Sequence, residues 1–449
     1  MLSILIDIGI FSNFFSTAAI LFREPFEFYY SYAPLILLLI IFAIKFPFYT
    51  PNLYILIPLI LFGVFNILIG NNTINNFLKI FLNITINLVF YQYVMHYYNY
   101  DVKLVFKKYL TGVFLISCLG IFQFVSFLIG FEQGYYFRGT LSLNKWNFSL
   151  GGFGIRVNSI HAEASYLGTT HAPAAFVSIY KLIKPRTTLI DFPKAVVILI
   201  CYLLSSSSLA FIGIFLSIIL ISLNFGAIKY FLATIPIIII AFIYTYNSSK
   251  DFRLRLDGLN KTFIEGMLDD DDQVLNKKAS RARATSLIRN IHGSSFVLYN
   301  NYYVAMKNLE NNYLFGSGLG SHEIAFKKYN LTAQLGGNYQ FNAADANSTF
   351  LRTLSEVGLI GIGFLLFFMF NFYISKPRVG DVMQEEYWLI SNAIFIVIFL
   401  QYLRQGNYSL AGFFFFCWMY YYNYVNMLNE EATLQEKEKI DNQHLETAL

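Results

Sequence analysis

Apolar runs of about 17 to 22 residues recur through most of the chain, the length a helix rising 1.5 Å per residue needs to cross roughly 30 Å of hydrocarbon. Together with shorter and longer stretches, the apolar runs fall near 4–21, 33–46, 53–69, 77–96, 110–129, 166–183, 195–204, 209–223, 230–246, 349–372, 388–403 and 412–425. This pattern predicts an all-α polytopic membrane protein of about twelve transmembrane helices, with one large loop between spans nine and ten. Charged residues make up only 13% of the chain, against roughly a quarter in soluble domains. The start, "MLSILIDIGIFSNFF", lacks a basic n-region and a small-residue cleavage site, so it reads as a retained first span. The seventh run is short and is followed by "SSSS" at 205–208, which predicts a tight turn or broken helix near the outer surface.

Lysine and arginine concentrate on the cytoplasmic side of membrane proteins. Placing the N-terminus inside puts "DVKLVFKKY", "KLIKPRTTLIDFPK", "AIKY" and "SKPRVGD" together in the cytoplasm. The expected organisation is then spans one to nine over 1–246, including a first outer loop at 130–165. A large outer loop follows at 247–348, spans ten to twelve over 349–428, and a cytoplasmic tail at 429–449. Cys118, Cys201 and Cys417 lie far apart inside apolar runs, which excludes a disulfide framework and a metal-ligand spacing. The net charge of +5 is small and sits in short loops, which argues against nucleic acid as a partner.

Four charged or titratable residues, Arg156, His161, Glu163 and His171, stand where the first outer loop enters the sixth span. A charge within a span costs about 2.5 to 3.5 kcal/mol, so it normally faces a wet cavity or a partner. Interfacial snorkelling or a structural Arg156–Glu163 pair is the competing reading. Asp345, Asn347, Arg352 and Glu356 open the tenth span, and Arg404 and Tyr408 precede the twelfth, all at the same expected level. Several guanidiniums at one level suit an anionic headgroup, because the planar fork binds phosphate through two bonds and stays charged. In the large loop, a helix from about 278 would align Arg281, Thr285, Arg289 and His292 on one polar stripe. The acidic run 269–272 reads as a solvated face, and "GSGLG" at 316–320, with no Lys-Ser/Thr after it, as a turn. His96 and His444 fall on the cytoplasmic side and read as incidental.

The order of these features resembles the O-antigen polymerase and ligase superfamily. The likeness covers roughly 156–408: "RVNSIHAEASYLG" entering a mid-chain span, a serine turn, a large outer loop, then "FGSGLGS", "NSTFLRTLSEVGLIG" and "LRQGNY". The resemblance implies a metal-independent transferase, without cofactor, that takes glycans from a polyprenyl pyrophosphate outside a bacterial inner membrane. The ligase branch carries a His-Asn pair where this chain has "DANSTF", with Ala346 before Asn347. That departure favours the polymerase branch and leaves Asp345, His322 or the Glu163 region as candidate bases. No arginine follows "HGSS", so Arg289 stands in for the family's loop arginine.

The expected reaction moves a growing glycan from polyprenyl pyrophosphate onto the terminal sugar of a second lipid-linked repeat, as in O-antigen or capsule assembly. It requires charge stabilisation on the leaving pyrophosphate and removal of one hydroxyl proton. Arg156, Arg281, Arg289, Arg352 and Arg404 are the expected pyrophosphate contacts, with Tyr408 and His292 as further substrate contacts. Glu163 is the expected base, helped by His161 or His171, with Asp345 as another catalytic candidate. Expected partners are the lipid-linked oligosaccharide, the bilayer and a chain-length regulator. The rival functions are a ligase acting on lipid A core and a flippase of lipid-linked sugars. No internal repeat supports the flippase.

Overall fold

The computed structural model describes residues 2–12, 14, 19–21, 28–29, 31–141, 143, 146–151, 154–185, 187–224, 293–331, 342–375, 382–409 and 412–448, with single positions between 243 and 257. The ninth predicted span apart from those single positions, the acidic run, and Arg281, Thr285, Arg289 and His292 lie outside the described residues.

Among the described residues helix dominates, with two short antiparallel pairs, β1 (Ala19–Leu21) with β2 (Phe28–Tyr29) and β3 (Leu150–Gly151) with β4 (Gly154–Ile155). Among the described residues, four helices are long and apolar enough to cross a membrane: Ile74–Tyr97 (α4), Val102–Leu128 (α5), Thr349–Asn371 (α14) and the Gln384–Arg404 part of Val382–Arg404 (α15). Shorter apolar helices accompany them: α1 (Leu2–Ser12), α2 (Tyr32–Lys45), α3 (Leu56–Leu68), α9 (Ala172–Ile183), α10 (Phe192–Leu204) and α11 (Ser208–Asn224), and the one-turn helices α6 (Glu132–Tyr135) and α7 (Phe137–Thr140) follow α5. Their starts are set locally. Thr73 Oγ1 accepts from the Asn76 amide, Asp101 Oδ1 from Leu104 and Ser348 Oγ from Leu351, each filling one orphan donor of a first turn.

Helix α15 forms the centre of the bundle. Leu389, Ile390, Ala393, Ile394, Ile396, Val397 and Ile398 are fully buried, and the helix packs on α9, α11, α14 and the long α16 (Phe413–Ala448). A helix apolar and buried all round belongs at a core, whereas α3 keeps Leu61, Phe65 and Leu68 exposed on its outward side.

The connecting segments sort to two ends. At one, Lys103 pairs with Glu386 at 3.5 Å and lies over the Tyr387 ring at 4.0 Å. Lys184 pairs with Glu385 at 3.9 Å, and Tyr180 and Thr188 donate to Glu385 and Glu386. This end holds the lysine-rich segments "DVKLVFKKY" and "KLIKPRTTLIDFPK". At the opposite end, Asn72 Nδ2 donates to Leu319 O at 2.7 Å, Ser348 Oγ to Tyr402 O at 2.7 Å, and the Val157 amide to Leu204 O at 3.1 Å. The serine turn belongs to this second end: α10 stops at Leu204, Ser205 Oγ donates to Tyr202 O, and Ser206 takes φ 45° before α11 begins.

Candidate functional site

At this second end two polar clusters lie inside the bundle. The first is built on the broken helix α14. Gly358 has φ 67° and ψ −157°, which interrupts the helix and frees backbone groups on both sides of it. A loop between α12 (Gly293–Asn311) and α13 (His322–Tyr329) takes them up. The amides of Ser317 and Gly318 donate to Ser355 O and Glu356 O, and those of Leu359 and Ile360 donate to Tyr313 O and Leu314 O. The expected "GSGLG" turn is therefore a brace. Its first three amides, those of Gly316, Ser317 and Gly318, donate to protein carbonyls, and its glycines permit approach: a Cβ on Gly316 would stand 2.5 Å from the Glu356 carbonyl carbon.

In the first half of α14, Arg352 Nε donates to Glu356 Oε1 at 2.9 Å and Nη1 to Gly406 O at 3.0 Å. The guanidinium lies 4.5 Å from the centre of the Tyr408 ring, and Tyr408 OH donates to Glu356 Oε2 at 3.1 Å. Arg352 and Glu356 are buried, with side chains 2% and 0% exposed. Both carboxylate oxygens and two guanidinium nitrogens are thus committed within the protein. Asp345 joins from the preceding turn: its Oδ1 accepts from the Asn347 amide at 3.0 Å and Asn342 Nδ2 at 3.1 Å, and its carbonyl abuts Gly406. Arg404, half-buried, ends α15 two residues before Gly406.

His322 borders this network. It is fully buried, and its Nε2 lies 3.0 Å from Asn301 Oδ1, an amide oriented by its own Nδ2 donating to Val297 O. Burial, with the charge of Arg352 second, pushes the imidazole down from 6.5 to about 3.

The second cluster follows the β3–β4 hairpin. Residues 156–163 dip into the bundle against α5. Gln123 Oε1 accepts from the amides of Asn158 and Ser159, and its Nε2 donates to Asn158 Oδ1 at 3.1 Å. Ser159 Oγ donates to Ile116 O, a position about 18 Å short of the Leu128 end of α5. Asn158 Nδ2 donates in turn to His161 O at 2.9 Å.

The chain then enters α8 (Ala164–Thr170), which continues through His171 into α9, so the predicted sixth span is two helices joined at a histidine. His161 and His171 are buried and meet edge to face, with ring centres 5.3 Å apart and Thr170 Oγ1 between them. Glu163 stands apart at the start of α8, exposed, its carboxylate accepting from Ser165 Oγ at 3.2 Å, about 12 Å along the helix from His171. Arg156 is half-buried, its side chain lying over Gly151 and its amide donating to Ser149 O.

The structure therefore joins Arg352 to Tyr408 and the Asp345 turn, and His161 to His171. Sequence reasoning did not single out Thr170, Gln123, Asn158 or Gly406. Isolated polar residues inside apolar runs, Gln123 above all, were the available signal. Comparison with family models, with curated proteins and with solved structures returned no match.

Proposed function

We propose that the protein is a membrane glycan polymerase. It lengthens a polysaccharide, O-antigen or capsule, by moving the growing chain from polyprenyl pyrophosphate to the terminal sugar hydroxyl of another lipid-linked repeat. The observation that carries this reading is the exposed Glu163 carboxylate at the start of α8, on the end of the bundle away from the lysine-rich loops. In a bacterial inner membrane, the lysine-rich end faces the cytoplasm and the Glu163 end the periplasm.

Glu163 takes the acceptor proton; the expected help from His161 and His171 is replaced by a separate role, because both rings lie buried against Thr170 while the Glu163 carboxylate meets Ser165. Arg352 is bound to Glu356 and Gly406. In the proposed reaction Arg156 and Arg404 contact the pyrophosphate, and Arg281, Arg289 and His292 of the large loop guide the lipid. Arg352, Tyr408 and Asp345 hold the floor of the site. Pyrophosphate is a good leaving group, so this scheme uses no metal or cofactor. The lipid-linked oligosaccharide and the bilayer are the partners, and a chain-length regulator is a further one.

The test is Glu163→Gln, which keeps shape and removes proton transfer, a contribution of roughly 10²- to 10⁴-fold in rate. Membrane abundance stays normal while the product stops at single repeats. A well-expressed Glu163→Gln protein making full-length polymer refutes the assignment.

A further inference from the structure

The Thr170 hydroxyl stands between the two buried histidines, within hydrogen-bond reach of one nitrogen of each ring. Thr170 Oγ1 has Tyr166 O at 2.9 Å, His171 Nδ1 at 3.2 Å, His161 Nε2 at 3.3 Å and Leu167 O at 3.4 Å. A threonine hydroxyl donates once and accepts twice. A bare ring nitrogen could accept as a carbonyl does, but Tyr166 O is the nearest acceptor and makes the backward bond usual for a helical threonine, so the hydroxyl hydrogen is assigned to it. Both ring nitrogens must then donate to the oxygen. With that assignment His161 carries its proton on Nε2 and His171 on Nδ1, which leaves His171 Nε2 as a lone pair. That atom is buried and has no hydrogen-bond partner among the described residues. A second proton there would create a buried N–H without an acceptor, which disfavours the charged ring.

We infer that Thr170 is a positioning residue: its hydroxyl holds His171 in the Nδ1–H tautomer so that Nε2 faces the bundle interior as an acceptor for an O–H donor. The backbone also holds the junction in place, because Tyr109 OH donates to Thr170 O at 2.6 Å and Tyr202 OH to Gly168 O at 2.9 Å. The chemical use of the lone pair rests on the polymerase reading, in which the O–H is a further hydroxyl of the acceptor sugar or a water: His171 accepts only the hydrogen bond, and the reacting hydroxyl's proton goes to Glu163. The tautomer itself rests on geometry alone.

The experiment uses the full chain, labelled with ¹⁵N-histidine and reconstituted in lipid vesicles. Solid-state NMR distinguishes protonated from bare imidazole nitrogens, and the His171 signals are those lost in His171→Gln. Wild type and Thr170→Ser show a protonated Nδ1 and a bare Nε2, whereas Thr170→Val shifts His171 to the other tautomer or a mixture. An unchanged tautomer in Thr170→Val, or the same shift in Thr170→Ser, overturns the inference. Lipid-linked repeats extracted from cells lacking the gene then serve as the probe. A sugar donor moves the Nε2 signal on addition of the extract, and a water donor leaves it unmoved. With the same extract, Thr170→Val lowers the polymerisation rate about 10²-fold, as misplaced groups do, and Thr170→Ser restores it. A shifted tautomer with an unchanged rate overturns the positioning role in the reaction, while Glu163→Gln separately decides the polymerase reading.

Discussion

Removing either member of the buried Arg352–Glu356 pair should cost more than removing both. Glu356→Leu leaves a guanidinium that is 2% exposed with the Gly406 carbonyl and the Tyr408 ring as its remaining partners. Arg352→Met leaves a carboxylate at 0% exposure held by Tyr408 OH alone. Breaking a buried pair on one side costs about 3–5 kcal/mol, whereas replacing both partners by apolar residues of similar volume is often close to neutral. The double variant Arg352→Met, Glu356→Leu should therefore unfold closer to wild type than either single variant. Tyr408→Phe, which deletes one bond to a carboxylate, should cost about 1.5–3 kcal/mol. The assay is the thermal unfolding midpoint of the purified protein in detergent, run beside membrane abundance and polysaccharide length in cells. An Arg352→Met protein as stable and abundant as wild type, yet unable to polymerise, would refute the internal-clamp account and return Arg352 to the substrate.

Three further outcomes follow from the same structure. Gly358→Ala, with φ 67° and a Cβ that would stand 2.5 Å from Leu314 O, should sharply lower abundance, while Gly363→Ala, with nothing within 4 Å, should not; immunoblots of membranes compare them. In a protein freed of its native cysteines, an impermeant thiol reagent applied to intact cells should label Asn342→Cys and spare Asp191→Cys, both exposed positions; the reverse pattern inverts the proposed topology. His322 titrates at about 3 in the folded protein and near 6.5 when unfolded, so below 6.5 the unfolded chain binds a proton that the folded one does not. Its contribution is full above that pH and falls by up to about 1.4 kcal/mol per unit down to 3, and His322→Gln should flatten this part of the stability profile.

The long helices were legible because run length alone defines them: runs at 77–96 and 349–372 became helices at Ile74–Tyr97 and Thr349–Asn371. Hydropathy undershot where a helix continues beyond its apolar stretch. Helix α5 begins at Val102, eight residues before the run at 110–129, because Asp101 caps it and its lysines reach carboxylates and rings. Helix α16 likewise continues to Ala448 through a polar segment rich in Glu, Lys, Gln and Ala, all strong helix formers. The break at Gly358 was not legible, since a glycine inside an apolar run looks the same whether its φ is positive or negative. The arginines were visible in the sequence, but that Arg352 is held within the protein depends on a carbonyl 54 residues away. The histidine pair was visible as two residues near a span entrance. Thr170, which joins them, carries no charge to mark it.

The Arg352–Glu356 contact also bears on how the chain enters a bilayer during synthesis. Gly406 leaves the ribosome 54 residues after Arg352, which at about 5–20 residues per second is several seconds later. For that interval the nascent segment has neither its carbonyl partner nor the Tyr408 ring. Its counter-charge nonetheless travels with it, one helical turn away on the same face. Two separate charges would each oppose partitioning by about 2.5–3.5 kcal/mol, whereas a self-neutralised turn presents the insertion machinery with a far smaller barrier. The spacing that closes the finished core thus also lets this segment be threaded into lipid before the rest of the core has been made.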